Sequence, residues 1–291
     1  MISAIVPTRG GDSRLARNLP SVVRALAASG DAWEVLVVDD GRELRRDVPQ
    51  ARVLSLSPAR GYGAAVNAGA AAATGELLLV LNDDVRLEEP AVRVLREALP
   101  PEGVFAVAPR IVSPLARSGD EGGKSAAVRA GLVEIEEAPS SATHPTLYPV
   151  GCCYLCRRSA FLDLGGYDEV YAPFFWEDVD LGFRAWRRGL ASLHVPAAVC
   201  HHEGSATIGE RPMDERLRAW HRGQALFHLR NLQSPRLRAG SLGAWAACAL
   251  FDDRRPVLDG IGDALERYGA AGRRPAEGLS DEEILARVRR E

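Results

Sequence analysis

The sequence predicts an α/β fold whose mostly parallel central sheet is flanked by helices and followed by a C-terminal helical extension. Short apolar runs alternate with stretches of helical periodicity through about the first 110 residues. The run Leu77–Leu81 is continuously apolar, as expected for a strand buried on both faces of a parallel sheet. Past about residue 211, only helical spacing recurs. Strands that alternate with helices indicate βαβ units, which build such a sheet.

The first half of the chain supplies most of the predicted sheet. Its strands are short apolar runs that stop at polar loops or acidic pairs, and its helices show apolar residues three or four positions apart. The predicted strands are Ile2–Val6, Trp33–Val38, Arg52–Leu56, Leu77–Leu81 and Val104–Ala108. The predicted helices run from Leu15 to Leu26, through an alanine-rich stretch that ends at Ala73, and over Ala91–Leu99.

The second half has weaker patterns. Residues 113–145 are rich in Ser, Gly, Pro and charge without clear periodicity, which predicts a long, partly mobile loop. Strands and helices then resume, and amphipathic helices form the tail. The predicted elements are a strand at Pro149–Cys156, a helix at Arg157–Leu164, a helix between Val179 and Leu190, and strands at Ser192–Val195 and Ala197–Cys200.

Composition restricts the function. The chain is 46% hydrophobic and 26% charged with a net charge of −3, which argues against nucleic-acid binding by a basic surface. The opening apolar run is too short for a signal peptide, and no segment approaches the roughly 20 apolar residues of a spanning helix. We therefore expect a cytoplasmic protein. Its basic C-terminal helices either face solvent or make peripheral contact with the inner face of the cell membrane.

Paired aspartates follow two of the predicted strands. Asp39 and Asp40 end the second strand, and Asp83 and Asp84, preceded by Asn82, follow the fourth. Ligands of open α/β sheets bind at the carboxyl ends of the strands, so both pairs should reach one crevice. Such a crevice would repel a bare nucleotide diphosphate unless a divalent cation, Mg²⁺ or Mn²⁺, mediates. The alternative is that these acids only cap turns and helices.

A second group of candidates lies further along the chain. Glu177, Asp178 and Asp180 open a predicted helix after an aromatic loop, where acids complement the helix dipole. That structural role suits Glu177 and Asp180, whereas a partly desolvated Asp178 would have a raised pKa suited to a general base. Of the adjacent His201 and His202, at most one should be a ligand, since neighbouring strand residues point in different directions.

Several short motifs occur in a specific order along the chain. Together they resemble the family 2 glycosyltransferases, which have the GT-A nucleotide-diphospho-sugar fold, over about residues 2–231. The motifs are Val6-Pro7-Thr8, Val37-Val38-Asp39-Asp40-Gly41, Gly61 with Asn67 and Gly69, Asn82-Asp83-Asp84, Gly165-Gly166-Tyr167-Asp168, Trp176-Glu177-Asp178-Val179-Asp180-Leu181 and His201-His202-Glu203.

The resemblance implies roles for individual residues. Asn82-Asp83-Asp84 stands in the place of the D-x-D motif, with Asn at its first position. Asp84 and His201 would be metal ligands, with His202 as the less favoured register, and Asp178 would be the general base. Donor binding would involve Pro7, Thr8, Arg9, Asp39, Asp40, Arg60, Gly61, Asn67, Asn82 and Asp83, of which Asp40 or Asp39 would read the base.

The resemblance also implies an activity and a division of the chain. It predicts metal-dependent, inverting transfer of a sugar from a UDP- or dTDP-sugar to a hydroxyl of a glycan or lipid-linked cell-envelope precursor. Rhamnosyl- and galactofuranosyltransferases look closest, and an oligomer is compatible with the sequence. Residues 1–210 would be the GT-A domain, with a nucleotide-binding half at about 1–110 and an acceptor half at about 145–210, and residues 211–291 the extension.

Two other functions stay open on the sequence. One is a catalytically silent module that only binds nucleotide-sugars, although Asp84, Asp178 and His201 are all retained. The other is a sugar nucleotidyltransferase, which would be expected to carry a glycine-rich, basic loop after the first strand. That loop contains one cation, Arg9, and matches neither a dinucleotide-binding fingerprint nor a phosphate-binding loop.

Overall fold

A nine-stranded sheet forms the centre of the computed structural model. The structure describes residues 1–41, 43–44, 47–114, 116–204, 209, 211–251, 255–275 and 277–289. The strands are β1 (Ile2–Thr8), β2 (Trp33–Asp40), β3 (Arg52–Leu56), β4 (Leu77–Leu81), β5 (Val85–Leu87), β6 (Val104–Val112), β7 (Lys124–Arg129), β8 (Leu132–Glu137), β9 (His144–Thr146), β10 (Cys153–Arg157) and β11 (Ala191–His202).

Helices cover both faces of this sheet and continue to the C-terminal region. They are α1 (Asp12–Ala27), α2 (Tyr62–Ala72), α3 (Ala91–Ala98), α4 (Arg158–Asp163), α5 (Glu177–Arg187), α6 (Met213–Asn231), α7 (Pro235–Phe251), α8 (Arg255–Ala271) and α9 (Asp281–Val288), with a 3₁₀ turn at Glu169–Tyr171. Within the described ranges, no helix combines the length and the apolar character needed to cross a membrane.

The strand order of the main sheet is β3-β2-β1-β4-β10-β6-β11-β5, with β9 paired to β11. Strands β1 to β4 run parallel, as do β6 and β11, whereas β10, β5 and β9 are antiparallel to their neighbours. The predicted α/β class with a mostly parallel sheet and C-terminal helices is therefore confirmed.

Burial on both faces explains the unbroken apolar runs of the central strands. All seven residues of β1 are buried. Ile2, Ala4 and Val6 enter a core cluster beneath α1 and α3, and Ile5 enters a second cluster beneath α2 on the other face. Because successive strand residues point to opposite faces, such a strand needs apolar side chains at nearly every position.

Strand β10 fills the gap between β4 and β6 and is antiparallel to both. Its Cys153 lies in the core cluster beneath α1, and its Cys156 lies in the cluster beneath α2. Residues three positions apart on a strand face opposite sides of the sheet, so these two thiols cannot bind one metal ion together. Both act as small buried hydrophobic side chains.

The expectation of a long, partly mobile loop at residues 113–145 is wrong. Strands β7 and β8 form an antiparallel hairpin there, paired from Lys124 with Glu137 to Arg129 with Leu132, and β9 joins the main sheet. The hairpin turn has positive φ at Ala130 (46°) and Gly131 (84°), as in the tight turns that match strand twist. Charged residues on both faces of the hairpin obscured its period of two.

A third core cluster joins α5, α6 and the hairpin. Beside it, Asp180 is fully buried, and its carboxylate accepts hydrogen bonds from Arg184 at 2.7 Å and Asn231 at 2.8 Å and contacts Arg274 at 3.4 Å. Burial opposes ionisation, but the two guanidinium groups hold the pKa of Asp180 below its ordinary value. The predicted pair with Arg184 is present, yet Asp180 links several elements rather than only complementing a helix dipole.

Candidate active site

One large cavity opens at the carboxyl ends of β1, β2 and β4 and has a volume of about 1100 Å³. Its remaining walls come from the hairpin, from the segment before α5 and from the start of α6. Most of the predicted site residues line it. These are Pro7, Thr8, Arg9, Asp40, Gly61, Asn82, Asp83, Asp84 and Asp178. Four predicted residues, Asp39, Arg60, Asn67 and His201, are not part of its lining.

The two aspartates at the end of β2 have separate structural partners. The Asp39 carboxylate accepts hydrogen bonds from the backbone N–H groups of Glu43 at 3.1 Å and Leu44 at 3.2 Å. The Asp40 carboxylate accepts from the N–H groups of Arg60 at 2.7 Å and Gly61 at 2.9 Å. Asp39 therefore shapes the loop after β2, while Asp40 stays at the cavity and fixes the loop before α2.

Asn67 and Arg60 contact neighbouring loops instead of the cavity. The Asn67 side chain donates to the carbonyl of Tyr167 at 2.8 Å and accepts from its N–H at 2.9 Å. The Arg60 guanidinium pairs with Glu169 at 2.7 Å and is half-exposed. Each side chain binds a group on the segment after α4, and the donor contacts predicted for them stay predictions.

Asp83 is held in a network that the sequence did not reveal. Its carboxylate accepts from Thr8 at 2.5 Å and from Arg14 at 2.9 Å. Burial raises its pKa above the ordinary value, although Arg14 and Thr8 oppose the shift. A Cβ at Gly11 would lie 2.2 Å from oxygens of both Asp83 and Thr8, so only glycine fits there. The network holds the Asn82–Asp84 segment against β1.

Asp84 faces His202 rather than His201. The distance from Asp84 Oδ1 to His202 Nε2 is 3.3 Å, and both side chains are buried. His201 is about one-third exposed and contacts Glu88 on the other side of the strand, at 3.0 Å. The choice of His201 as the partner of Asp84 is therefore corrected to His202, because alternate residues of β11 point to opposite faces.

His202 also contacts a second carboxylate. The distance from its Nδ1 to Glu121 Oε2 is 3.5 Å. Burial alone would lower the pKa of His202, but Asp84 and Glu121 outweigh it and raise that pKa to about 9. Glu121 lies in the stretch that was predicted as a mobile loop, so no sequence pattern indicated that it belongs to the site.

The Asp84–His202 pair has the chemistry and spacing of a partial cation site. Two ligands at adjacent positions of a six-coordinate cation, each about 2.1 Å from it, are about 3 Å apart, close to the observed 3.3 Å. Among the described side chains, no group of three or more His, Cys, Asp or Glu could hold a metal. The residues present fit a cation that completes its coordination with oxygens of a bound ligand.

Asp178 is positioned by the start of α5 and by the loop before β10. Its carboxylate accepts from the Gly151 N–H at 3.0 Å and from the Val179 N–H at 2.9 Å. Burial raises its pKa, although these backbone hydrogen bonds act in the opposite direction. A carboxylate at the cavity with a raised pKa can accept a proton from a bound hydroxyl.

The segment before Asp178 has an unusual backbone that α6 supports. Phe175 and Trp176 have φ values of 77° and 75°, which cost non-glycine residues about 1–3 kcal/mol each. The Trp220 ring lies 5.5 Å from the rings of both residues, and a Cβ at Gly223 would lie 2.6 Å from the Trp176 side chain. Helix α6 therefore packs directly on the segment that positions Asp178. The domain boundary at residue 210, which would assign this helix to the C-terminal extension, stays a prediction.

Glu177 shares its environment with Asp178. Burial, and then the charge of Asp178, raise the pKa of Glu177 to about 8. Its Oε2 atom is buried, and among the described residues it has no hydrogen-bond partner. Burial raises the pKa of both carboxyl groups, so simultaneous ionisation of Glu177 and Asp178 is unfavourable.

We expect Glu177→Gln to have turnover close to the wild type at about pH 7, because the amide resembles a protonated carboxyl. The pKa of Glu177 in the folded chain, about 8, exceeds its ordinary value of 4.5. Its contribution to stability is therefore complete below that ordinary value and is lost as the pH rises to about 8. When melting temperatures are measured across this pH range, the melting temperature of the variant relative to that of the wild type should rise with pH. If the melting temperatures of the variant and the wild type change in parallel with pH, the raised pKa of Glu177 is contradicted.

The profile of Glycosyl transferase family 2 matches residues 3–165, which is more than half of the chain. The chain belongs to this family. A second profile, Glycosyl transferase family group 2, matches residues 135–256 and so extends into the C-terminal helices.

Two curated relatives come from Mycobacterium tuberculosis. The N-acetylglucosaminyl-diphospho-decaprenol L-rhamnosyltransferase is 40% identical over 93 residues, which are 32% of this chain and 29% of that protein. The pre-mycofactocin glycosyltransferase is 31% identical over 195 residues, or 64% of this chain and 41% of that protein. The chain thus spans less than half the length of these relatives.

Solved structures share the fold at low sequence identity. GalNAc-T7 with UDP, GalNAc and Mn²⁺ has a TM-score of 0.60 at 15% identity, over 84% of this chain and 54% of that one. TarS of S. aureus with UDP-GlcNAc has a TM-score of 0.58 at 15% identity, over 91% and 81%. A Pyrobaculum calidifontis mannosyltransferase with GDP-Man and Mn²⁺ has a TM-score of 0.53 at 17% identity, over 98% and 78%.

Proposed function

We propose that this chain transfers a sugar from a nucleoside-diphospho-sugar to an acceptor hydroxyl with inversion at the anomeric carbon. The observation that carries the proposal is that one cavity is lined by both the Asp84–His202 pair and the half-buried carboxylate of Asp178. The first arrangement suits a cation-bound diphosphate and the second suits a hydroxyl that must lose its proton. A module that only binds nucleotide-sugars would need no such base.

In the proposed reaction, Asp178 accepts the proton of the acceptor hydroxyl as its oxygen forms a bond to the anomeric carbon. The bond from that carbon to the diphosphate breaks in the same displacement, and the diphosphate leaves with the bonding electrons. A single displacement inverts the anomeric configuration. A bound Mg²⁺ or Mn²⁺, held by Asp84 and His202, would supply charge neutralisation for the leaving diphosphate.

The donor end of the cavity is the end lined by Pro7, Thr8, Asp40 and Gly61. We propose a UDP- or dTDP-sugar as donor, and the relative named as a rhamnosyltransferase favours a deoxyhexose. That relative's name also includes a lipid-linked diphosphate acceptor, which supports a glycan or lipid-linked acceptor here. Peripheral membrane contact remains part of the proposal, since Leu242 and Leu250 on α7 are exposed.

The test is a product assay with a panel of nucleoside-diphospho-sugars, Mn²⁺ and lipid-linked or free glycan acceptors. We expect release of the nucleoside diphosphate together with formation of a glycosylated acceptor of inverted configuration. Pyrophosphate as the released product would indicate a nucleotidyltransferase instead. Donor binding without turnover on any of the acceptors would favour the silent module.

A further inference from the structure

The ring of His202 lies between the buried carboxylate of Asp84 and the mostly buried carboxylate of Glu121, one on each side. Nε2 faces Asp84 Oδ1 at 3.3 Å, and Nδ1 faces Glu121 Oε2 at 3.5 Å. The side chains are 6% (His202), 4% (Asp84) and 15% (Glu121) exposed, so water does not compete strongly at either nitrogen. We propose that Glu121 is a positioning residue that orients His202 toward the cation of the proposed reaction. The inference therefore rests on the proposed function.

A histidine that binds a metal commonly donates its other ring N–H to such a partner. Imidazole binds a cation through the lone pair of one nitrogen, so the other nitrogen must carry the proton. An acceptor beside that N–H fixes the tautomer and the ring orientation and makes the ligand more basic. With a cation bound at Nε2, Nδ1 would carry the remaining proton, and Glu121 is the carboxylate that faces it.

The backbone around Glu121 is rigidly held, as a positioning role demands. The Glu121 N–H donates to the Ile111 carbonyl at 2.9 Å. The preceding Asp120 is buried and accepts from the N–H groups of Ile111 at 3.1 Å and Gly122 at 2.8 Å. A Cβ at Gly122 would lie 2.0 Å from the Pro109 carbonyl oxygen, so the backbone of this segment packs closely against β6.

A second pair on the same strand reinforces this arrangement. His194 of β11 is fully buried, and its Nε2 lies 3.1 Å from Asp120 Oδ2. Two consecutive acids, Asp120 and Glu121, therefore contact two histidines of β11. Asp120 fixes the segment to the strand inside the sheet, and Glu121 contacts the histidine that faces the cavity. The segment thus connects β6 to the proposed ligand.

The test measures Mn²⁺ affinity in the presence of saturating UDP, from the electron paramagnetic resonance signal of free Mn²⁺. We expect Glu121→Ala to weaken Mn²⁺ binding by about 10–100-fold, the usual loss when a partner of a metal ligand is removed. Glu121→Gln retains an acceptor oxygen and should lose less. Glu134→Ala is the matched control. Glu134 also lines the cavity but pairs with Arg129, so the Mn²⁺ affinity of this variant should be near that of the wild type.

Melting temperatures without metal separate positioning from folding. We expect Glu121→Gln to melt like the wild type without Mn²⁺ and UDP and to be stabilised less by adding them. Wild-type Mn²⁺ affinity in Glu121→Ala, or an equal loss in Glu134→Ala, would overturn the role of Glu121. If Glu121→Ala does not fold, wild-type affinity in Glu121→Gln overturns it. If the wild type binds no Mn²⁺ with UDP, the proposed cation site itself is wrong, and the inference falls with it.

Discussion

Asp178→Asn should lower the turnover number by about 10²–10⁴-fold, the usual contribution of a positioned proton acceptor. The amide has nearly the same size, and its single oxygen can still accept one of the two backbone hydrogen bonds, from the Gly151 N–H at 3.0 Å or the Val179 N–H at 2.9 Å. Donor affinity should therefore stay close to that of the wild type. Steady-state kinetics with saturating donor, together with calorimetry of donor binding, measure both quantities on the same preparation.

Glu177→Gln is the matched control for this substitution, because it makes the same chemical change at the neighbouring position. Asp180→Asn is unsuitable, since its carboxylate is buried among Arg184, Asn231 and Arg274 and its loss leaves guanidinium groups without their partner. Near wild-type transfer by Asp178→Asn would place the base elsewhere. Loss of donor binding in the same variant would indicate a structural role.

Asp84→Asn should weaken nucleoside diphosphate binding in the presence of Mn²⁺ by about 100-fold or more, because removing even an indirect partner of a metal ligand costs about 10–100-fold. The physical reason is that, in the proposed complex, the diphosphate would lie beside the Asp83–Asp84 carboxylates, and an intervening cation would offset their repulsion. Calorimetry of UDP binding with Mn²⁺ and with EDTA measures the effect.

The EDTA titration supplies an internal control for Asp84→Asn. Chelation should weaken UDP binding by the wild type to the level of the variant, whereas the variant itself should respond little to EDTA. Equal UDP affinity of the wild type with Mn²⁺ and with EDTA would contradict a metal role for Asp84. A variant that still responds to EDTA would show that other residues hold the cation.

Much of the central sheet could be predicted, because a strand that is buried on both faces is apolar at nearly every position of the sequence. The Leu77–Leu81 run and the strand at Ile2–Val6 are apolar at nearly every position, and the structure has strands at both places. Asp84 is expected at the cavity because it follows a buried strand, and Asp178 because it opens a helix after an aromatic loop. Both line the cavity.

The errors came where partners distant in the sequence decide the outcome. Whether His201 or His202 faces the cavity depends on how β11 pairs with β5 and β6, which no local pattern encodes. Asn67 looked available for a ligand, but its side chain is hydrogen-bonded to the backbone of Tyr167, one hundred residues later in the chain. Glu121 could not be found, because its role depends on contact with a strand about eighty residues later in the chain.

The position of β10 in the sheet has a consequence for how the protein folds as it is synthesised. Strands β4 and β6 leave the ribosome before β10, yet they are separated by the place that β10 occupies. Until residues 153–157 arrive, the apolar strand β4 has an unpaired edge, which is prone to pair with other chains. The first 110 residues should therefore aggregate as an isolated fragment, because β4 lacks its second partner until β10 pairs with it.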